Sequence, residues 1–397
     1  GALPFIISGS IPHPIDAIFE TVSGFTTTGA SILSDVEALS HCMLIWRSFT
    51  HWIGGMGVLV FILCLLPLTG GYHMNLMKAE SPGPSVSKLV PKVQSTAKIL
   101  YTIYIILTIV EIIFLLIGKM PLFDTLCLSF GTAGTGGFGI KNDSIASYST
   151  YNQVVITVFM ILFGINFNAY YLLLTKKVMQ AAKNEEVRYY LGIIGLAIVA
   201  IAINTREMFT SFGRAFQQAA FQVGSIITTT GYATTDFNVW PVFSKTILVI
   251  LMFVGACAGS TGGGIKVSRL LILCKSARKE LQLYLHPNAV KKIKMDDKAI
   301  PHEVVRATNM FLFVYIMIFV TSLLIISLDN LDMVSNFTAI AATLNNIGPG
   351  LGAVGPTGNF NTYSYISKGV MIFDMLAGRL EVFPLLLLFK RDTWRKF

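Results

Sequence analysis

A threonine–glycine motif recurs in this chain, and its atoms suit one kind of chemistry. It reads GFTTTGASIL at 24–33, GTAGTGGFGI at 131–140 and IITTTGYATT at 226–235, and a more divergent copy, LNNIGPGLG, stands at 344–352. Glycine permits positive φ angles at little cost, and small threonine side chains leave room beside the backbone. Carbonyl and hydroxyl oxygens arranged in this way can replace the water around a dehydrated monovalent cation. The motif therefore predicts an oxygen-lined cation site to which each copy contributes one quarter.

The candidate ligands are the central residues of each copy. We equate the turn glycines Gly29, Gly136, Gly231 and Gly350, because each follows a short apolar segment. Neither HExxH nor CxxC occurs, and no Ser-His-Asp or paired-carboxylate set is recognisable, so we predict no enzyme. The predicted cation-site residues are Thr27, Thr28, Gly29, Gly134, Thr135, Gly136, Thr229, Thr230, Gly231, Gly348, Pro349 and Gly350.

Short amphipathic segments precede the motif in every copy and must position it. They lie at 13–26, 121–134, 208–227 and 331–347, and each is shorter than the roughly 20 residues that cross a bilayer. Such lengths are typical of re-entrant half-helices, whose irregular continuation is buried in protein or lines a cavity. Longer apolar runs flank them, near 43–66, 99–118, 151–175, 187–204, 242–274, 305–328 and 366–389. The pattern of span, short helix, turn and span thus occurs four times, and we expect the first span to be missing from this chain.

Composition and charge agree with a membrane protein. Apolar residues make up 53% of the chain and charged residues 13%, about half the usual charged share, and the mean hydropathy is +0.66. The net charge is +9, but most Lys and Arg residues lie in four clusters that each follow the second span of a repeat. The positive-inside rule makes these clusters cytoplasmic and opens the motif to the outside. We therefore expect no nucleic-acid partner. The clusters are 78–98, 176–188, 266–306 and 390–396.

A glycine-rich segment, GACAGSTGGG at 255–264, interrupts the apolar run of the third repeat. Glycine costs roughly 1 kcal/mol relative to alanine inside a helix, so the segment predicts a break. We expect an intramembrane loop there, with Lys266 at its cytosolic mouth able to repel or gate cations. The alternative is a glycine face that packs helices closely. The residues assigned to the loop are Gly255, Ala256, Cys257, Ala258, Gly259, Ser260, Thr261, Gly262, Gly263 and Gly264.

Arg379 stands inside the last apolar run, in FDMLAGRLEVF. A charge within a span is costly and normally faces a cavity or a partner. Arg379 could face a cavity, or it could form an ion pair with Asp374 or Glu381, and both could hold at once.

The four copies, together with HWIGGMGVLVF at 51–61, GACAGSTGGGIKVSRLL at 255–271 and AGRLEVFPLL at 377–386, resemble the TrkH branch of the Trk/Ktr/HKT potassium transporter superfamily. The resemblance covers nearly the whole chain. It implies an all-α polytopic membrane protein in which four pseudo-symmetric M1–pore helix–M2 repeats surround one central pore. The repeats would span 1–80, 81–180, 181–296 and 297–397, with extra N-terminal helices, including the first M1, absent from this chain.

The resemblance also implies a function and partners. Potassium would be the permeant ion, without an organic cofactor, and Gly29 favours potassium because relatives with serine in the first filter position tend to admit sodium. The loop at 255–264 would obstruct and gate the pore, and Arg379 would form an electrostatic barrier below the filter. The implied partners are a second copy in a homodimer, a cytosolic TrkA-like nucleotide-binding regulator and membrane lipids, in the bacterial inner membrane. A sodium-permeable or ion-coupled symporter of the same superfamily is the alternative.

Two glycine motifs suggest a nucleotide-binding membrane enzyme, which is a remote alternative. GTGGFG at 134–139 matches G-x-G-x-x-G, but a dinucleotide site needs a preceding strand and an acidic residue about 20 positions later. GSTGGGIK at 259–266 lacks the G-K-[S/T] ending of a phosphate-binding loop. We therefore predict no nucleotide site in this chain.

Overall fold

The structure, a computed structural model, describes residues 1–57, 93–287, 292–380 and 382–387. It is predominantly helical, which confirms the predicted all-α class. In this part of the chain the strands are limited to one hairpin, in which β1 Lys294–Met295 pairs antiparallel with β2 Lys298–Ala299. Most of the basic cluster 78–98, the cluster 390–396, Glu381 and the end of the span 43–66 lie outside the described residues.

The helices are numbered here in chain order. They are α1 Leu3–Ile7, α2 Pro14–Phe25, α3 His41–Met56, α4 Val93–Ile117, α5 Leu122–Gly134, α6 Thr150–Phe163, α7 Phe167–Leu174, α8 Val178–Ala182, α9 Glu185–Asn204, α10 Phe212–Ile227, α11 Val242–Val254, α12 Val267–Leu285, α13 His302–Ile326, α14 Met333–Leu344, α15 Tyr365–Arg379 and α16 Val382–Leu387. Short 3-10 helices lie at Arg206–Met208, Phe237–Val239, Ser327–Asp329, Gly352–Val354 and Phe360–Thr362.

Four short helices, α2, α5, α10 and α14, occupy the segments that the sequence predicted as half-helices. Their first turns carry the expected signals. Pro14 opens α2 with Asp16 behind it, and the side chains of Ser211 and Asp332 accept backbone N–H bonds at the starts of α10 and α14. Their last turns are buried or nearly so. Each helix therefore begins near the surface and ends inside the protein, and we call these four the pore helices.

Longer helices supply the spans. Among the described residues, Ala97–Ile117 of α4, α9 and the helix that begins at His302 are long and apolar enough to cross a membrane. The pair α6–α7, which bends by 90° at its break, adds a fourth candidate if the two helices are counted as one span. Large apolar side chains point outward, and Ile109 and Ile113 of α4 are 51% and 50% exposed. An apolar exterior of this kind suits lipid and agrees with a polytopic membrane protein.

The second helix of every repeat stops early. Helices α3, α6, α11 and α15 contain 16, 14, 13 and 15 residues. At 1.5 Å per residue they are roughly 20–24 Å long, which is less than the hydrocarbon thickness of about 30 Å. The sequence predicted a break only in the third repeat, because its glycines interrupt the apolar run. The break after α6 escaped notice because the residues FGINF continue the run across it.

The pore helices and second helices pack as a closed ring. Each pore helix contacts the second helix of the preceding repeat, so that α5 lies on α3, α10 on α6, α14 on α11 and α2 on α15. The α2–α15 contact joins the last repeat to the first. It includes a buried ion pair in which Lys368 Nζ lies 2.7 Å from Asp16 Oδ1. This ring brings the C-terminal ends of all four pore helices together.

Candidate ion pathway

The four pore helices end in the same way. Each closes with a Schellman motif, in which a backbone N–H bonds to the carbonyl five residues earlier, after a residue in the left-handed conformation. The bonds run from Thr28 to Ser23 (2.9 Å), Gly136 to Gly131 (2.8 Å), Thr230 to Ser225 (2.8 Å) and Ile347 to Ala342 (2.9 Å). The left-handed residues are Thr27, Thr135, Thr229 and Asn346, with φ between 53° and 60°.

Left-handed backbone is unusual at these four positions, because none of them is glycine. A β-branched residue with positive φ is a genuine outlier, and three of the four are threonine. Each stores on the order of 1–3 kcal/mol of strain, and such strain persists only where the surrounding structure imposes it. All four side chains are fully buried. The strain therefore marks a site that the packing enforces.

Two residues after each left-handed residue, the backbone again has positive φ, and here the residue is always glycine. The angles are 81° at Gly29, 72° at Gly137, 86° at Gly231 and 98° at Gly348. The equivalence drawn from the sequence is thus correct for repeats one and three and wrong for repeats two and four, where we chose Gly136 and Gly350. The C-terminal end of each pore helix fixes how the four copies align. Because copies two and four contain several glycines, the sequence alone aligns the wrong one.

These glycines form a closed ring with the residues before them. A Cβ added to any one of them would press on a carbonyl oxygen of the next repeat, and for Gly348 that distance would be 3.0 Å. The pairs, glycine first, are Gly29 with Gly136, Gly137 with Thr230, Gly231 with Ile347 and Gly348 with Thr28. The partner carbonyl belongs to the same position in every repeat, and the fourth glycine returns to the first repeat. The ring thus brings together Thr28, Gly29, Gly136, Thr230, Gly231 and Gly348 of the predicted residues and adds Gly137 and Ile347. Two predicted residues lie outside it, since Gly134 packs on His51 and Gly350 on Thr338 and Val354.

A cavity of about 210 Å³ lies on one side of the ring, and all four glycines line it. Pro349 lines it too, whereas Gly350 does not. The described lining contains Arg47 and Lys141 but neither Asp nor Glu. The oxygens that this described lining offers are therefore carbonyls, hydroxyls and side-chain amides. We call this cavity the vestibule.

Repeats one and three support the ring with their own hydroxyls. Thr26 and Thr28 share a hydrogen bond of 2.8 Å across the left-handed residue, and Thr228 and Thr230 share one of 2.7 Å. Serines one turn earlier hold the returning chain, since Ser23 donates to the carbonyl of Ala30 (2.7 Å) and Ser225 to that of Tyr232 (2.6 Å). The same offsets from the helix end carry the same groups in both repeats.

Repeats two and four lack those hydroxyl pairs and are supported by other elements. In repeat two, a Cβ on Gly136 would overlap the ring of His51 from α3, and Tyr232 of repeat three donates to the carbonyl of Leu128 (3.2 Å). In repeat four, the amide of Asn346 donates to Thr28 Oγ1 of repeat one (2.9 Å) and to a carbonyl of α15 (2.9 Å). Repeat four also has a hydroxyl of its own, because Thr338 Oγ1 accepts from the N–H of Leu351 (2.9 Å). Support in these two repeats therefore comes partly from across repeat boundaries.

A buried ion pair stands behind the ring residues of repeat one. Glu20 of α2 accepts from Arg47 of α3 at 2.7 and 2.9 Å, and also from the N–H of Ile32 (3.1 Å) on the returning chain. The guanidinium lies 4.0 Å above the ring of Phe138. Both side chains of the pair are at most 2% exposed. Neither residue is among the predicted site residues, although a Glu and an Arg within apolar segments are the signal that the sequence offers.

The glycine-rich segment 255–264 is a loop and lies directly beneath the ring. Helix α11 ends at Val254 and α12 begins at Val267, with positive φ at Gly255, Gly259 and Gly264. The loop touches two left-handed residues of the ring. Thr135 Oγ1 donates to the carbonyl of Thr261 (2.9 Å), and the N–H of Gly263 donates to Thr229 Oγ1 (2.6 Å). The helix-packing alternative is therefore wrong for this segment.

Two cationic side chains meet this loop. Arg379 donates to the carbonyl of Thr261 (2.7 Å) and to those of Gly54 (2.5 Å) and Gly55 (2.7 Å) at the end of α3. The ion pair with Asp374 is wrong, because that carboxylate accepts from Ser322 (2.8 Å) and its other oxygen has no hydrogen-bond partner. Lys266 is fully buried and donates to the carbonyl of Gly262, so it folds back into the loop and does not extend into an open mouth.

The two nucleotide-like motifs have other structural roles. GTGGFG at 134–139 follows the end of helix α5 and not a strand, and GSTGGGIK at 259–266 belongs to the loop beneath the ring. Both observations agree with the prediction that neither motif binds a nucleotide.

Comparison with known proteins agrees with this architecture. A family model described as TrkH, cation transport protein, matches residues 1–395. The Trk system potassium uptake protein TrkH of Salmonella typhimurium is 38% identical over 402 residues, which cover 100% of this chain and 83% of that protein. TrkG of Escherichia coli is 34% identical over 390 residues, covering 96% of this chain and 79% of that protein.

A solved structure gives the same result. The crystal structure of the potassium transporter TrkH from Vibrio parahaemolyticus matches with a TM-score of 0.87 at 36% sequence identity, covering 100% of this chain and 82% of that one. The chain belongs to the TrkH family of cation transport proteins.

Proposed function

We propose that this protein takes up potassium across the bacterial inner membrane through the ring of four repeats. The observation that carries the proposal is the closed set of glycine-to-carbonyl contacts between successive repeats. A ring of this kind places equivalent backbone carbonyls around one axis, and carbonyls are the ligands that replace the hydration shell of potassium. The uptake names of the relatives support the choice of ion.

The attraction for a cation comes from neutral groups. Four pore helices direct their C-terminal ends to the ring, and each helix end carries about half a negative charge. In the described lining of the vestibule neither Asp nor Glu adds to this field. We propose the ring residues, with Gly137, Asn346 and Ile347 included, as the selectivity filter. Potassium is the cargo, and we propose no organic cofactor in this chain.

We propose that the loop at 255–264 is the gate. The loop lies on the side of the ring that carries the left-handed residues at the ends of the pore helices. It connects repeats two and three through hydrogen bonds with Thr135 and Thr229. Arg379 connects the loop to α3 and places its charge close to the same axis. A permeating ion that leaves the filter would meet this loop, so conduction requires that the loop move.

The orientation and the partners follow from the charge distribution and the family. We propose that the vestibule faces outward and that the basic segments 176–188 and 266–306 face the cytosol and anionic lipid headgroups. A homodimer and a cytosolic TrkA-like nucleotide-binding regulator, without nucleic acid, complete the proposed assembly. The proposed repeats are 1–80, 81–180, 181–296 and 297–397.

The test is cation flux into liposomes that contain the full-length protein. Potassium, rubidium, sodium and lithium are compared side by side. We expect potassium and rubidium to pass and sodium and lithium to be excluded, and we expect Gly29→Ser to admit sodium. Equal flux of sodium and potassium in the parent protein would favour the sodium-permeable alternative. Flux that requires a sodium or proton gradient would favour coupled symport, and no cation flux would refute the proposal.

A further inference from the structure

A buried carboxylate outside the filter has an unexplained set of partners. Glu186 lies in the first turn of α9 and is 3% exposed. Its Oε1 accepts from the backbone N–H of Ala258 (2.6 Å) and from that of Ser268 (3.1 Å). Its Oε2 accepts from the side-chain amide of Asn166 (3.4 Å). Three separate parts of the chain thus converge on one side chain.

The two backbone partners are the gate loop and the helix that follows it. Ala258 lies in the first half of the loop, and Ser268 lies in the first turn of α12. The first N–H groups of a helix have no partner within the helix, and a buried N–H without an acceptor is costly. Glu186 supplies the acceptor for both N–H groups with a single oxygen. A loop held in this way cannot leave its place without breaking charge-assisted hydrogen bonds, which are the stronger kind.

The third partner belongs to the break between α6 and α7. That break frees backbone groups of the helix, and the same loop satisfies them. Its Cys257 N–H donates to the carbonyl of Gly164 (3.1 Å), and its Gly259 carbonyl accepts from the N–H of Phe167 (3.0 Å). Asn166, in the middle of the break, contacts Glu186. The carboxylate therefore sits where the loop, the break and the start of α9 meet.

We propose that Glu186 is the positioning residue that holds the loop in its blocking conformation, an inference that rests on the proposed role of the loop as a gate. The hydrogen bonds given above for Glu186 do not include a ring residue. Loss of the carboxylate therefore removes the acceptor of the Ala258 and Ser268 N–H groups and leaves the ring intact. Its effect is therefore on how often the pore opens and not on which ion passes.

The experiment compares Glu186→Ala with the parent in the liposome assay without any regulator. We expect potassium flux to rise at least about tenfold, since hydrogen bonds to a charged group are among the strongest single contacts. The potassium-to-sodium ratio should stay at the parent value. Glu186→Gln retains an oxygen that can accept both N–H bonds, so it should give a smaller rise and keeps the test open if the alanine variant does not fold.

The matched control is Glu185→Ala, which removes the neighbouring carboxylate. Glu185 pairs with Lys275 on the surface and has no bond to the loop in the described contacts. We expect its flux to equal that of the parent. The positioning role is refuted if the parent conducts potassium and both Glu186 variants show the same flux. It is also refuted if the variants lose selectivity for potassium over sodium.

A second readout separates this inference from the proposed function. Cys257 of the loop is fully buried, and a protein whose other four cysteines are serine allows it to be followed alone. We expect a maleimide to label Cys257 at least about tenfold faster in Glu186→Ala, because the same contact is lost. If neither the parent nor the Glu186 variants carried potassium flux, the proposed function would be refuted, while faster labelling would still support the contact. Unchanged labelling would refute the contact itself.

Discussion

The ring quarters of repeats one and three are each bridged by a threonine pair of their own, whereas repeats two and four have no such pair and also use contacts from neighbouring repeats. Threonine pairs at 26 and 28 and at 228 and 230 bridge the left-handed residue within one quarter. In repeat two the corresponding positions are Gly134 and Gly136, and in repeat four they are Asn345 and Ile347. Even so, all four quarters have the same two positive φ angles.

This difference separates two levels of symmetry. The backbone is four-fold because every quarter must present a carbonyl to its neighbour, and torsion angles decide that. The side chains are only two-fold, because any group that fixes the same torsion angles is acceptable. Damage in repeats one and three should therefore stay local, and damage in repeats two and four should involve two repeats at once.

The largest effect on ion selectivity is expected from a substitution that breaks the shared backbone. Gly231→Ala places a Cβ against the carbonyl of Ile347 at φ 86°. The strain alone is on the order of 1–3 kcal/mol, so we expect potassium selectivity over sodium to fall at least about tenfold. Liposome flux measures this. Gly195→Ala is the control, because nothing lies within 4 Å of its Cβ position on α9. Retained selectivity in Gly231→Ala would disprove the ring.

The second prediction uses losses of stability to test how alike repeats one and three are. Glu20 and Gln222 occupy the same offset from the helix end, and each binds the returning chain. Glu20→Ala leaves the guanidinium of Arg47 buried without its carboxylate, and breaking such a pair costs about 3–5 kcal/mol.

Gln222→Ala leaves no buried charge without a partner, so it should lower the free energy of unfolding by only about 0.5–1.5 kcal/mol. Thermal unfolding of both purified variants in detergent gives the comparison. Equal losses would mean that the ion pair adds nothing beyond the shared hydrogen bonds.

A third prediction tests the register in repeat four. Gly348 has φ 98° and faces the carbonyl of Thr28, whereas Gly350 lacks positive φ and faces side chains of Thr338 and Val354 at 2.8 Å. We expect Gly348→Ala to reduce potassium selectivity several-fold more than Gly350→Ala, because backbone cannot move aside as a side chain can. The two variants are matched in size and two residues apart. The opposite order in ion competition would restore the register read from the sequence.

The smallest effect tests support across a repeat boundary. The hydroxyl of Tyr232 fills the space beside Gly131, where a Cβ would overlap it. Gly131→Ala should destabilise the protein, and adding Tyr232→Phe should recover part of that loss, with a coupling of about 0.5–3 kcal/mol. A double-mutant cycle on unfolding midpoints measures it. If the stability changes of the two single variants simply add in the double variant, contact with Tyr232 of repeat three does not support repeat two. Ser225→Ala, a loss of about 1 kcal/mol within repeat three, is the local comparison.

Much of the architecture could be predicted because it is written in local patterns. Apolar periods, proline and aspartate at helix starts and glycine-rich turns identified all four pore helices and the loop at 255–264. The break in the second helix of repeat two could not be predicted, since hydropathy continues through FGINF. The helix ends in repeats one and four do carry local signals, glycines at 54, 55 and 57 and charges at 379 and 381, but long apolar runs around them favoured continuous spans. The contacts of Arg379 could not be chosen either, because they are made with residues more than a hundred positions away.

The sequence by itself determined the class of the protein, the fourfold repeat and the family, since composition, period and motif letters are local quantities. Tertiary structure alone decided the register of the filter. Asn346 and Gly348 of repeat four become equivalent to Thr27 and Gly29 only when the helix ends are superimposed. It also decided that Glu186 joins the loop to the start of α12. Hydrogen bonds between residues 72 and 82 positions apart arise from packing, and no pattern of neighbouring letters records them.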